Sequence, residues 1–273
     1  MQQSGEQGES TAFKRARIYA FYLLALVTLG MAAAFVSDLL MFSFTGWGTG
    51  GEVLAEHRLH VMIIAANVWI VILSVASQLY RPLKRVALMQ AAFALITLLL
   101  IGTIVGGGPV QEVLPFFVLI GLMSLFHPAG GEMLSFGDDY SPALLGLVAV
   151  AAIPVLAFAV NQFTLQGSGD VHSLLGHYME MTTMAIGLLL LGLVASAGAT
   201  GHRFVAWLTA GLAIYFGVLS LVFPTQTSSL GLMWASALIL WGVVFVAVSE
   251  LRATGRTSIS SERPLNIRGS PRA

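Results

Sequence analysis

Apolar runs, cut by short polar or glycine- and proline-bearing breaks, follow one another along almost the whole chain. A bilayer core takes about 20 apolar residues per helix. Cutting at the breaks gives eight segments of that size: 18–41, 59–80, 86–105, 110–127, 142–161, 175–198, 203–223 and 230–249. The pattern predicts an all-α fold, a polytopic integral membrane protein with eight transmembrane helices. Lys14, Arg15 and Arg17 precede the first run. That run exceeds the roughly 7–15 apolar residues of a signal peptide and reads as a retained anchor.

Within these runs polar residues are sparse, and they recur. The first segment ends in Ala34-Phe35-x-x-Asp38 and the fifth contains Ala157-Phe158-x-x-Asn161. The second carries His60-x-Met62 and the sixth His177-x-Met179. The fourth opens on Pro109-x-Gln111, and Pro224-x-Gln226 precedes the eighth. Three motifs in one order predict two four-helix repeats. With an even number of spans in each, the copies are parallel, related by an axis along the membrane normal. The chain then divides into a cytoplasmic tail (1–16), a first repeat (17–127), a linker (128–141), a second repeat (142–250) and a tail (251–273). Both tails are polar and read as disordered.

Composition supports the class. Hydrophobic residues are 57% and charged residues 10%, against roughly 25% charged in soluble domains, so the expected partner is the lipid bilayer, and no basic patch suggests nucleic acid. The absence of cysteine excludes disulfides, iron–sulfur clusters and thiolate sites, leaving His, Met, carboxylate and amide ligands. Basic residues then orient the chain. Lys14, Arg15, Arg17, Arg81, Lys84, Arg85, Arg203, Arg252, Arg256, Arg263, Arg268 and Arg272 fall on one side and Arg58 on the other. The positive-inside rule makes this a cell (inner) membrane protein with both termini cytoplasmic. The inner linker, with Glu132, Asp138 and Asp139, dissents, but acidic residues count little in that rule.

Counting from the cytoplasmic ends puts Asp38, His60, Gln111, Asn161, His177 and Gln226 in one layer at the outer edge of the hydrocarbon. Glu52, Glu56, His57, Glu112, Asp170 and His172 lie in or beside it. Helix ends are where polar residues cost least, so Asp38, Asn161, Gln111 and Gln226 have capping as an alternative role. The matched histidines are harder to explain that way. His60, Asn67 and Ser74 recur every seven residues with Gln78 beyond them, a polar stripe suited to the bundle interior. His177, Glu180, Met181 and Met184 share a helix face, and Glu180 would be costly at that depth unless paired or protonated. His127 and His202 sit at cytoplasmic helix ends and need no special function.

Two chemistries fit. Imidazole binds iron, copper and zinc and serves as an axial ligand of haem. The leading reading is an outer-leaflet site for haem or a transition metal, for redox chemistry or cofactor handling. His60 and His177 are its principal ligands, His57 and His172 further cofactor ligands, and Glu180 a further metal ligand; Asp38, Asn67, Gln111, Asn161 and Gln226 complete the polar site. The alternatives are a small-solute or ion permease lined by His60, Asn67 and Ser74, and a ligand-free membrane scaffold or assembly factor.

Eight helices in a tandem four-plus-four arrangement, with acidic loops running into histidines at Glu56-His57-x-x-His60 and at Asp170, His172 and His177, resemble the heme A synthase family. The resemblance implies histidines that handle haem. That family also carries histidines on the fourth helix of each half, where this chain has Gln111 and Gln226. Leu59-His60 followed by Trp69 is similar to the copper-resistance D family of membrane proteins.

Overall fold

The computed structural model describes residues 11–48, 56–135, 137 and 139–261. Glu52, Asp138, Arg263, Arg268 and Arg272, and most of the two tails, lie outside the described residues. Among those described, the chain is helical and contains no strand. The helices are α1 (Thr11–Phe35), α2 (Ser37–Thr45), α3 (Arg58–Ser77), α4 (Val86–Gly106), α5 (Val110–Phe126), α6 (Pro142–Leu165), α7 (Val171–Leu174), α8 (His177–Ser196), α9 (His202–Val222) and α10 (Gly231–Ser261).

Seven of these, α1, α3, α4, α6, α8, α9 and α10, are long and apolar enough to cross a membrane. Their apolar surfaces require a lipid environment. Helix α5 is equally apolar but has 17 residues, a length of about 26 Å against a hydrocarbon core of about 30 Å. It nonetheless joins the two ends of the bundle. Its first turn carries Glu112, on the same cavity as Glu180 at the start of α8. The residue after its last turn, His127, is bonded to Gln78 at the end of α3.

Several boundaries differ from the sequence-based segments. The first span starts at Thr11 and bends at Val36 into α2, because Val36 leaves helical geometry at φ −123°, ψ 9° while the hydrogen bonds Val36 N–H to Ala32 O and Leu40 N–H to Val36 O persist. The second span ends at Ser77 rather than 80. There Gln78 turns its amide inward to donate to Ser74 O and Arg85 O, closing the turn to α4. Helix α10 continues past 249 to Ser261, with no proline to stop it before Pro264.

Helices α3, α4, α8 and α9 form the middle of the bundle, with α1 and α5 packed on one side and α6 and α10 on the other. The α4–α8 contact is close because glycine stands where side chains would collide. A Cβ on Gly102 of α4 would run into Thr183 Cγ2 of α8. At one end of the bundle Ser141 N–H donates to Ser196 O and Ala87 N–H to Thr200 O, tying the starts of α6 and α4 to the end of α8. The other end gathers the N-termini of α3, α5, α8 and α10, and there the histidines meet.

Candidate metal centre

Three short pieces of chain bring four histidines together. His57 is the residue before α3 and His60 lies in its first turn. His172 sits in α7 and His177 opens α8. Ring centroids are 4.5 Å apart for His57–His172, 4.9 Å for His57–His177, 5.1 Å for His60–His172 and His60–His177, and 5.9 Å for His172–His177. The motif-matched pair, His60 and His177, stacks at an interplanar angle of 18°.

Local capping explains why these side chains converge. The start of α3 is held from the far half of the chain, since Leu59 N–H donates to Gln226 Oε1 at 2.8 Å. Arg58, buried in the same turn, lies over the Phe223 ring. The short α7 is capped by Asp170, whose carboxylate accepts from Ser173 N–H at 2.8 Å and from Tyr178 Oη–H at 2.7 Å. Those two bonds, the Ser173 one foremost, hold the Asp170 carboxyl below its ordinary range. Gln166 clamps the same corner, donating to Ser173 O and accepting from Met179 N–H. Between α7 and α8 the chain turns at Gly176 with φ 78°, a left-handed conformation that glycine adopts without steric cost. That turn presents His172 and His177 to one space.

His57, His172 and His177 each offer one ring nitrogen, and the three lie within 4.8 Å of one another. They are therefore able to hold a metal ion. His57 Nδ1 and His177 Nδ1 are 3.2 Å apart. Two imidazole nitrogens at about 2.0–2.1 Å from one tetrahedral ion would be separated by about 3.3 Å. Burial first, and then the neighbouring His172, push the His57 imidazole below its ordinary value. That favours the neutral ring a metal requires.

His60 packs against His172 and His177. Its Nε2 is 2.9 Å from Ser228 Oγ, and Ser228 in turn donates to Gln162 Oε1 at 2.6 Å. Since the single hydroxyl proton of Ser228 goes to Gln162, Ser228 accepts from His60, and the proton of His60 sits on Nε2. Its Nδ1 is left as a buried lone pair without a hydrogen-bond partner. His172 is oriented similarly by a long contact, 3.4 Å, from Nε2–H to Glu56 O. Such outer partners fix which nitrogen a metal meets.

Other candidate residues are placed elsewhere. Asp38, Gln111 and Asn161 are exposed and stand outside the group. Gln226 serves as the cap on α3. Asn67 and Glu180 line a neighbouring cavity that none of the four histidines touches. Sequence reasoning missed Ser228, which holds a left-handed backbone at φ 70°, and Gln162, which is 2% exposed beside the exposed Asn161. At the opposite end His127 is fully buried between Gln78 and the Ala129 amide, a structural knot rather than an interfacial cation. No protein-family model, curated protein or solved structure matches this chain.

Proposed function

We propose that this protein is an eight-span membrane protein, built of two repeated halves, that binds a transition-metal ion at one membrane face. His57, His172 and His177 are the ligands, and the buried His60 packs beside them. The carrying observation is the convergence of three ring nitrogens within 4.8 Å. Imidazole suits zinc, copper and iron, and the role such a site fits is metal handling or redox chemistry.

Eight spans are supported by the course of α5 between the two ends of the bundle. The repeat is supported by the stacking of its two matched histidines. The positive-inside distribution supports an outer position for the histidine end. Haem is the weaker occupant on this geometry. A bis-histidine haem would need room between two imidazoles, whereas His57, His172 and His177 bring their nitrogens toward one point. The likeness to the heme A synthase family is accordingly read as a likeness of frame.

The test is metal analysis of the full chain, purified in detergent without chelators and titrated with Zn²⁺ and Co²⁺. The expected result is one ion per chain, with tetrahedral Co²⁺ absorption, and a loss of affinity of about 100-fold or more when His57, His172 or His177 becomes Ala. Binding that survives the triple substitution, or no binding by a folded wild type, overturns the proposal. A bound haem with a Soret band would reinstate the porphyrin.

A further inference from the structure

Beside the histidines lies a second site of different chemistry. A cavity of about 200 Å³ opens between α3, α4, α5 and α8, its walls apolar apart from Asn67, Thr103, Glu112, Glu180 and Thr183. A void of about 150 Å³ lined by aliphatic and aromatic side chains accepts benzene, so this one has room for a single ring with a short substituent. Glu112 is exposed in the first turn of α5 and stands at the mouth. Glu180 is largely buried, one helical turn below His177, and its Oε2 is sealed from solvent with no hydrogen-bond partner.

Three polar side chains of the lining each donate to their own helix. Thr183 Oγ1 donates to Glu180 O at 2.8 Å, Thr103 Oγ1 to Leu99 O at 2.9 Å, and Asn67 Nδ2 to Ile63 O at 3.2 Å. What remains is largely acceptor capacity: the carboxyl groups of Glu112 and Glu180, an amide oxygen and hydroxyl lone pairs. The lining contains two acidic residues and no Lys, Arg or His. A ligand matched to this surface is a hydrogen-bond donor, positively charged at its head and apolar in its body. Phe116, also in the wall, adds an aromatic side chain of the kind that attracts cations.

We propose that this cavity binds a small lipophilic organic cation, an ammonium head on a body the size of one aromatic ring. Glu180 takes the ammonium group, and Glu112 raises the local concentration of cations at the entrance. The site uses none of the histidines proposed for the metal and stands independently of them.

The experiment measures equilibrium binding of phenethylammonium to the purified full chain by calorimetry, with 2-phenylethanol as a neutral probe of the same shape. Wild type is expected to bind the ammonium at least tenfold more tightly than the alcohol. Glu180→Gln, which keeps the shape of the side chain, should remove that preference. Glu112→Gln should weaken the ammonium by a smaller factor at low salt. His57→Ala should leave both affinities unchanged, which separates this site from the metal centre. Equal affinity for the two probes, tighter binding of the alcohol, no binding of either, or an unaltered preference in a folded Glu180→Gln protein overturns the proposal.

Discussion

His57 Nδ1 lies 3.2 Å from His177 Nδ1, joining residues 120 positions apart in the chain. Neither residue could be held there by its own helix alone. His57 precedes α3 and is positioned by the Gln226 cap on Leu59, while His177 follows the left-handed turn at Gly176. The contact therefore depends on both halves of the chain. Any ion bound between these nitrogens would favour the folded state over the unfolded one, because unfolding scatters its ligands.

The hydroxyl of Ser228 is expected to matter more than its volume. Ser228→Ala leaves His60 Nε2–H and Gln162 Oε1 without their shared partner, a cost of about 1–3 kcal/mol. It should also weaken metal affinity by about 10-fold, the low end of what loss of outer partners costs, because Ser228 holds the His60 ring that packs against His172 and His177. Ser228→Gly separates hydroxyl from backbone. Glycine suits φ 70° better than serine, so the glycine variant should recover stability relative to alanine yet keep the weak metal binding. Zn²⁺ titration and thermal unfolding of both variants check this; wild-type affinity in Ser228→Gly would refute it.

Hydropathy alone revealed the seven long apolar helices, because a bilayer imposes length and apolarity that few other constraints can mimic, whereas the short α2 and α7 carry no such signal. The histidines were visible because they are rare and their motif recurs. Their partners were hidden for physical reasons. The repeat pointed to Asn161, but adjacent residues on a helix point about 100° apart, and it is Gln162 that faces inward. Ser228 lies in a loop, where no periodicity marks which side chain turns inward. Glu180 showed itself as an anomaly of depth, yet the acceptor-rich cavity around it is made by helices distant in sequence.

Close packing of α4 on α8 gives a prediction with a built-in rescue. In Gly102→Ala the added methyl would collide with Thr183 Cγ2, and overpacking of this kind costs about 1–3 kcal/mol. Thr183→Ser removes that methyl while keeping the hydroxyl that bonds Glu180 O. The double variant should therefore recover most of the stability lost by Gly102→Ala. Thermal unfolding in detergent measures both. A single Gly102→Ala variant as stable as wild type would show that the helices separate without penalty.

At the opposite end of the bundle, His127 should make stability depend on pH. Its Nε2–H donates to Gln78 Oε1 at 3.2 Å and its Nδ1 accepts from Ala129 N–H at 3.1 Å. Both nitrogens are satisfied only in the neutral ring. Burial, and then the positive charge of Arg17, lower its pKa from 6.5 to about 4. Below pH 6.5 the unfolded chain takes up this proton before the folded one, so the folded state loses stability as pH falls. The loss should accumulate between pH 6.5 and about 4 and then level off, since both states are protonated below that range. Other histidines held neutral, His57 among them, contribute in the same window, so the measurement is a difference. Unfolding temperatures of wild type and His127→Gln, followed from pH 7 to 4, should converge as pH falls, because only wild type carries this particular loss. Curves that stay parallel across the window would show that His127 does not titrate between the folded and unfolded states.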